Sequence, residues 1–363
     1  MLQSQLDLVL RRLVSFGAPE VFILTILLLS WQSFIDLDKS SQYDIVEYYA
    51  GIGRISRLGA AYGYTTGAFD VVYDFPEFTE SMPGPKKKKY RKHQTNKKTA
   101  MDLTTSSGFM LALAMALQGK LDECMSFWAI CCSSWIHMNV GTSNRGYLTP
   151  MGCEAFVSVR KANLLVSRSI LLILLTICMG GTPVIENPGS SMIWLHDRFQ
   201  WLLGILENAG MRMFKQKFWM CFLGSPTMKR TILWSTGSAI AAFQLFAVVK
   251  AKEVTSRKKT VDKYINRYGE TAYKGSRDLK STQVYEPKFA SFVVRLMPHF
   301  NDPKRKQKLP PVDQSVPFTT VFAQLQYSDL WEDAVMSEVV RYARGSKYLC
   351  IPPEWRPLMP THL

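Results

Sequence analysis

Two adjacent thiols, Cys131 and Cys132, followed by Ser133, Ser134 and Trp135, stand where the apolar run from Met125 to Ile130 gives way to polar residues. That pattern is a buried strand emptying into a turn. Ligands of open α/β sheets gather at such carboxyl ends, so a thiol here is a candidate nucleophile, although free cysteine is also among the most buried residue types. A second chemical group follows the apolar Val184-Ile185, where Glu186-Asn187-Pro188 ends another run. Its carboxyl group could exchange a proton with a bound ring, or the Asn-Pro-Gly sequence could simply turn the chain. A third is the cation pair Lys229-Arg230, which precedes an apolar strand and reads equally as a substrate contact or a solvated basic turn.

These groups need a scaffold, and the segment from Tyr43 to Asp74 supplies its first unit. It predicts a strand, a glycine turn, a helix and a second strand closing on an acid. Gly51 and Gly53 let the backbone bend sharply and approach a ligand with no Cβ in the way. Asp70 follows Gly51 by nineteen residues, the separation that returns an acid to a ribose, and Val71 beside it is a candidate cofactor contact. Ser56 stands where a dinucleotide fingerprint has its third glycine, which argues against a nicotinamide or flavin. Asp102-Leu103 closes the short stretch TAMDL. At a strand end its carboxylate could accept from an exocyclic amine such as adenine's; alone it could cap a helix.

The sequence Glu47-x-Tyr49-x-Gly51-x-Gly53 resembles the acid-x-Phe-x-Gly-x-Gly motif of S-adenosylmethionine-dependent methyltransferases. The order of the later segments resembles the cytosine-carbon-5 branch of that family, over residues 41 to 295. The resemblance implies an α/β, Rossmann-like class I fold, a mostly parallel sheet with helices on both faces. It also implies S-adenosylmethionine as cofactor, held by Glu47, Tyr49, Gly51, Gly53, Asp70, Val71, Asp102 and Leu103. Cys132-Ser133-Ser134-Trp135 is similar to the family's Pro-Cys-x-x-Phe loop, which makes Cys132 the nucleophile that adds to carbon 6 of cytosine. Cys131 takes the proline's place. Glu186-Asn187-Pro188 is similar to Glu-Asn-Val, and implies a carboxyl at ring nitrogen 3. Lys229 and Arg230 stand in for an Arg-x-Arg motif, and Tyr285-Glu286-Pro287 resembles the closing Tyr-Pro segment. The implied partner is nucleic acid, DNA before RNA, whose base must be flipped out of a duplex. Only about fifty residues separate Arg230 from Lys280, less than a full target-recognition domain needs. Two other functions stay open: methyl transfer to RNA or another base, and a lapsed scaffold that binds cofactor or nucleic acid without catalysis.

The 363 residues, 47% apolar, can bury one large core with appendages. Residues 1–40 predict apolar helices packed on that core, 41–300 the catalytic domain with a basic insertion at 83–99, and 301–363 a basic, proline-rich linker with a C-terminal helix. That helix would dock Phe322, Leu325, Leu330, Val335, Val339 and Val340. The run from Ile170 to Met179 is short and interrupted by Arg168, so a buried helix is expected and no membrane span. Gly141 and Gly146 around Arg145 suggest a flap over the site. Net charge is +15, and the eight cations of PKKKKYRKHQTNKK leave +7 behind, which suits a protein that neutralises phosphates. That run reads as a mobile loop, a nuclear-import-like signal or a phosphate-contacting arm. Seven cysteines without paired spacing predict free thiols in a reducing, intracellular compartment, and the scattered histidines predict no metal.

Overall fold

A computed structural model describes residues 3–31, 42–74, 100–248, 261–265, 267, 269, 271–275, 284–325, 337 and 350–359. The central sheet contains β1 (Ile45–Tyr48), β2 (Thr66–Phe69), β3 (Met125–Trp128), β4 (Thr182–Pro188), β5 (Phe214–Trp219) and β6 (Arg230–Ser235), in the order β2-β1-β3-β4-β6-β5. The first four run parallel, and β6 lies antiparallel to both β4 and β5. β1 and β3 read as unbroken apolar or buried runs because both faces of the sheet are covered. Period-two alternation divides their side chains between two cores. Ile45, Met125, Phe127, Val184 and Leu233 face one core, while Val46, Tyr48, Trp128, Ile185 and Ile232 face the other.

The first core is closed by α3 (Arg54–Ala61) and α7 (Pro287–Arg295), and the second by α1 (Gln3–Ser15), α2 (Glu20–Ser30), α4 (Ser106–Leu117), α5 (Val157–Cys178) and α6 (Asp197–Asn208). The N-terminal helices are part of the second core: Leu6, Val9, Leu10 and Leu13 bury one side of α1, and every residue from Val21 to Leu29 is buried. Truncating any of these leucines would cost about 2–5 kcal/mol through lost contacts and a residual cavity.

Helix α5 corrects the reading of a ten-residue run. It is 22 residues long, apolar enough by length and composition to cross a membrane, with 83% of its apolar window buried inside the fold. Arg168 does not interrupt it, because the guanidinium donates to the carbonyls of Leu103 and Thr105. The expected strand end at Asp102 is likewise absent among the described residues; Asp102 lies in a turn, and Thr105 is the N-cap of α4. Past Phe246, β7 (Val261–Ile265) and β8 (Thr271–Gly275) pair as an antiparallel hairpin in a sheet of their own. Toward the C-terminus, α8 (Phe318–Ala323) packs Phe318 and Phe322 against Trp355. The basic run at 85–98, Leu330, Val335, Val339 and Val340 lie outside the described residues.

The connections reverse direction beside β1: β2 lies on one side of it and β3 on the other. In an open α/β sheet that switch point leaves a crevice beyond the carboxyl ends of the strands, where ligands bind. Tyr49, Gly51, Asp70 and Cys132 all follow strands at this end, and Glu186 lies two residues before the end of β4.

Candidate functional site

The chain leaves β1 through three left-handed residues in alternation, Tyr49 (φ 58°), Gly51 (φ 55°) and Gly53 (φ 66°), the last of which caps α3. Glu47, fully buried on β1, reaches forward to brace this turn. Its Oε2 accepts from the backbone N–H and the hydroxyl of Ser56, both at 2.8 Å. Burial raises its pKa, and the two Ser56 hydrogen bonds oppose the rise. Its Oε1 is buried without a hydrogen-bond partner. An unpaired carboxylate oxygen in that position is costly unless a donor arrives. Asp70 braces the turn from the other side, accepting from Gly51 N at 2.8 Å and Val72 N at 2.9 Å. Val71 next to it leaves 40% of its surface exposed. A Cβ built on Gly51 meets nothing within 4 Å, so the turn faces open space. Tyr49 points the other way and is tethered to Ser169 of α5 by a 2.9 Å hydrogen bond.

Asp102 and Leu103 are engaged locally. Oδ1 of Asp102 accepts from the N–H and hydroxyl of Thr104, and the Leu103 side chain is buried in the core. Asp102 still has a second carboxylate oxygen, whereas the Leu103 side chain has no free surface to offer a ligand.

Beyond β3 the two thiols separate. Cys131 is exposed, with its sulfur 3.4 Å from the hydroxyl of Ser133, while Cys132 is half-buried and within electrostatic reach of Glu186 and Lys229. Burial pushes the Cys132 thiol up to about 11; the Glu186 carboxylate adds to the rise and the Lys229 ammonium works against it. Glu186 is 5% exposed and doubly held. Lys229 Nζ lies 3.1 Å from Oε1, and the Tyr285 hydroxyl donates to Oε2 at 2.7 Å. Tyr285 itself is buried against Phe127 and Phe289, and its pKa is raised by burial first and by Glu186 second. The four groups come from β3, β4, the approach to β6 and the approach to α7. Arg230 is not among them: it is exposed and lies over Trp219, 5.7 Å from the ring centroid.

The loop after Cys132 is anchored, which differs from the expected flap. Arg145, 1% exposed, stacks its guanidinium 3.5 Å from the Trp135 ring and donates to Ser134 Oγ, Pro150 O and Asn163 Oδ1. Asn139 adds a bond to the carbonyl of Ser133, and Trp135 N–H closes on Cys132 O at 2.8 Å. Truncating Arg145 would strand several buried acceptors at once, at about 1–3 kcal/mol each. His196 packs beneath Trp135, with Nδ1 accepting from Arg198 N and Nε2 placed 3.2 Å from Asn163 O. That pattern fits the neutral ring, and burial lowers its pKa to about 4.

Sequence reasoning overlooked Ser56 and Tyr285 as site residues. Ser56 was legible only as a missing glycine, and Tyr285 sits 99 residues from the carboxylate it binds. Among the described residues, no group of three or more His, Cys, Asp or Glu is placed to hold a metal ion. No protein-family model, curated protein or solved structure matches this chain.

Proposed function

We propose that this chain is a Rossmann-like class I methyltransferase that moves a methyl group from S-adenosylmethionine to carbon 5 of cytosine in nucleic acid, DNA before RNA. The observation that carries the reading is the Glu186–Lys229 ion pair near the carboxyl end of β4 together with Cys132, past the end of neighbouring β3, within electrostatic reach of both. A thiol, a carboxyl and a cation are the three groups needed to make cytosine a nucleophile at carbon 5.

The residues present fit the cofactor. Gly51 leaves room for close approach, Glu47 Oε1 offers an unclaimed acceptor, and Val71 presents an apolar surface to a base. Asp70 retains lone pairs for a ribose hydroxyl beyond its two backbone contacts. The cofactor supplies an electrophilic methyl on a sulfonium.

In the reaction, Cys132 must first give its proton to solvent, because with a pKa of about 11 it rests as a thiol at neutral pH. Its sulfur then forms a bond to carbon 6 while Glu186 steadies the ring through nitrogen 3. The electron pair displaced toward carbon 5 would take the methyl, whose bond to the cofactor's sulfonium would break to leave a neutral thioether. A base removes the carbon-5 proton, the sulfur–carbon bond breaks and the thiolate leaves. Glu186 is held by Tyr285 on one oxygen and Lys229 on the other, and Lys229, 18% exposed, is the partner free enough to yield to the incoming ring. A lapsed scaffold is the second reading, favoured by the high pKa of Cys132 and by Cys131 in place of a rigid proline.

The test is incubation of the full chain with cytosine-containing DNA and S-adenosylmethionine, followed by nucleoside mass spectrometry. Formation of 5-methylcytosine that is lost in Cys132→Ser supports the proposal. Cofactor binding without any methylated product favours the scaffold, and a methylated base other than cytosine redirects the acceptor.

A further inference from the structure

The edge of the sheet carries basic and aromatic side chains that the proposed chemistry leaves unused. β5 is the last strand in the sheet order, and Lys215, Lys217 and Trp219 alternate along one of its faces. In register across the ladder stand Trp234, Ile232 and Arg230 of β6. Trp194, from the turn before α6, completes the group. Lys215, Lys217 and Arg230 are exposed, Trp194 and Trp219 are half-buried, and Trp234 is buried. The cations lie over the rings: Lys215 Nζ is 4.4 Å from the Trp234 centroid and 5.4 Å from that of Trp194, and Arg230 is 5.7 Å from that of Trp219. Among the described residues none of the three is paired with a carboxylate. Lys215 has its pKa lowered by partial burial and by Lys217, so an added anion would relieve it.

Lysines on an edge strand commonly serve only to prevent edge-to-edge pairing. Tryptophans interleaved with them add a second capability, since cations that follow a phosphate backbone and flat rings that stack on bases are the two elements of single-strand binding. The direction of the stripe adds a third argument. β4 and β5 both lie antiparallel to β6, so Trp219 and Arg230 stand at the same end of the sheet as Glu186, on the opposite face from it. A strand lying on this stripe would reach the candidate nucleophile by passing over the carboxyl ends of the strands.

We infer that the face formed by Lys215, Lys217, Trp219 and Arg230 is a docking track for single-stranded nucleic acid, with phosphates on the cations and a base on Trp219. The inference deepens the proposed function by assigning its polymer a path, and its test reads binding rather than methyl transfer, so either can fail alone.

The probe is a fluorescein-labelled oligo(dT) of about 20 nucleotides, followed by anisotropy over a salt series with the full chain. For single strands log K falls with log salt at about 0.7 per phosphate neutralised. Lys215→Gln/Lys217→Gln/Arg230→Gln should therefore flatten the slope by about 2. The charge-matched Lys304→Gln/Arg305→Gln/Lys308→Gln, at exposed positions on a different segment, should leave it unchanged. Trp219→Leu should weaken binding about tenfold with the slope intact, the effect expected for one lost stacking platform. Circular dichroism checks that each variant is folded. No binding by the parent, an equal loss of slope in the control triple, or full affinity in Trp219→Leu would overturn the track. Methylation assays would then stand or fall independently.

Discussion

The ionisation of Cys132 sets the pH at which the proposed chemistry can begin, and it can be read without any substrate. With its thiol pushed up to about 11, roughly one molecule in a thousand carries the thiolate at pH 8. An ordinary thiol of pKa about 8.5 is about one quarter ionised there, which gives a deficit of roughly 250-fold. The more basic thiolate is the better nucleophile, and a Brønsted slope of about 0.45 over about 2.5 units returns roughly 13-fold. Cys132 should thus react with iodoacetamide about 20-fold more slowly than an ordinary thiol at pH 8. Its rate should keep climbing about tenfold per pH unit until about pH 11, where an ordinary thiol has long since levelled off. Steric shelter of a half-buried sulfur would lower the whole curve without moving its midpoint, so the midpoint is the quantity to compare. Mass spectrometry of the modified peptide in a Cys131→Ser background provides the assay. Glu186→Gln removes the anion that raises the pKa and should move the midpoint down; Lys229→Met removes the opposing cation and should move it up. A midpoint near 8.5 in the parent, or one that ignores both substitutions, would refute the idea that these three groups share one electrostatic site.

Gly51→Val should abolish binding of S-adenosylmethionine or its demethylated product in calorimetry, since the side chain fills the open space before the turn; equal affinity in the variant removes the cofactor premise. Because φ is 55° there, Gly51→Asn, which tolerates a left-handed backbone, separates obstruction from strain. His196 should make stability acid-sensitive. The unfolded ring takes a proton near pH 6.5 and the folded one only at about 4, so the contribution is present above about 6.5 and is lost as pH falls toward 4. It amounts to about 3 kcal/mol, and urea unfolding of His196→Gln should show a flatter dependence over that window.

The first unit of the fold was legible because its signals are local. An apolar run, paired glycines and a closing acid occupy thirty residues, and the structure places β1, α3 and β2 in that order. The thiol and the carboxyl at strand ends were legible for the same reason. Asp102 was read at a strand end, but its own bonds to Thr104 explain it as a turn residue. Arg168 looked like a break in an apolar run, since nothing in a linear sequence shows that its guanidinium finds two carbonyls more than sixty positions away. Arg145 between glycines suggested mobility, whereas its buried bonds fasten the loop. Ser56 and Tyr285 carry hydrogen bonds to Glu47 and Glu186, and that role depends on pairing across the fold rather than on residue type. The proposed S-adenosylmethionine site and methyl transfer rest on the motifs and on the geometry that accompanies them.

Covalent capture tests the central claim most directly. DNA carrying a fluorinated cytosine, with S-adenosylmethionine present, blocks removal of the group at carbon 5 and would leave a cytosine-carbon-5 methyltransferase attached. The parent should form a stable adduct whose mass maps to Cys132. Cys132→Ser should form none, and Cys131→Pro should retain it, since proline fixes φ just before the nucleophile. An adduct that survives Cys132→Ser but vanishes with Cys131→Ser would make Cys131 the nucleophile and contradict the assignment of Cys132, and the absence of any adduct from a parent that binds the cofactor would contradict cytosine methylation.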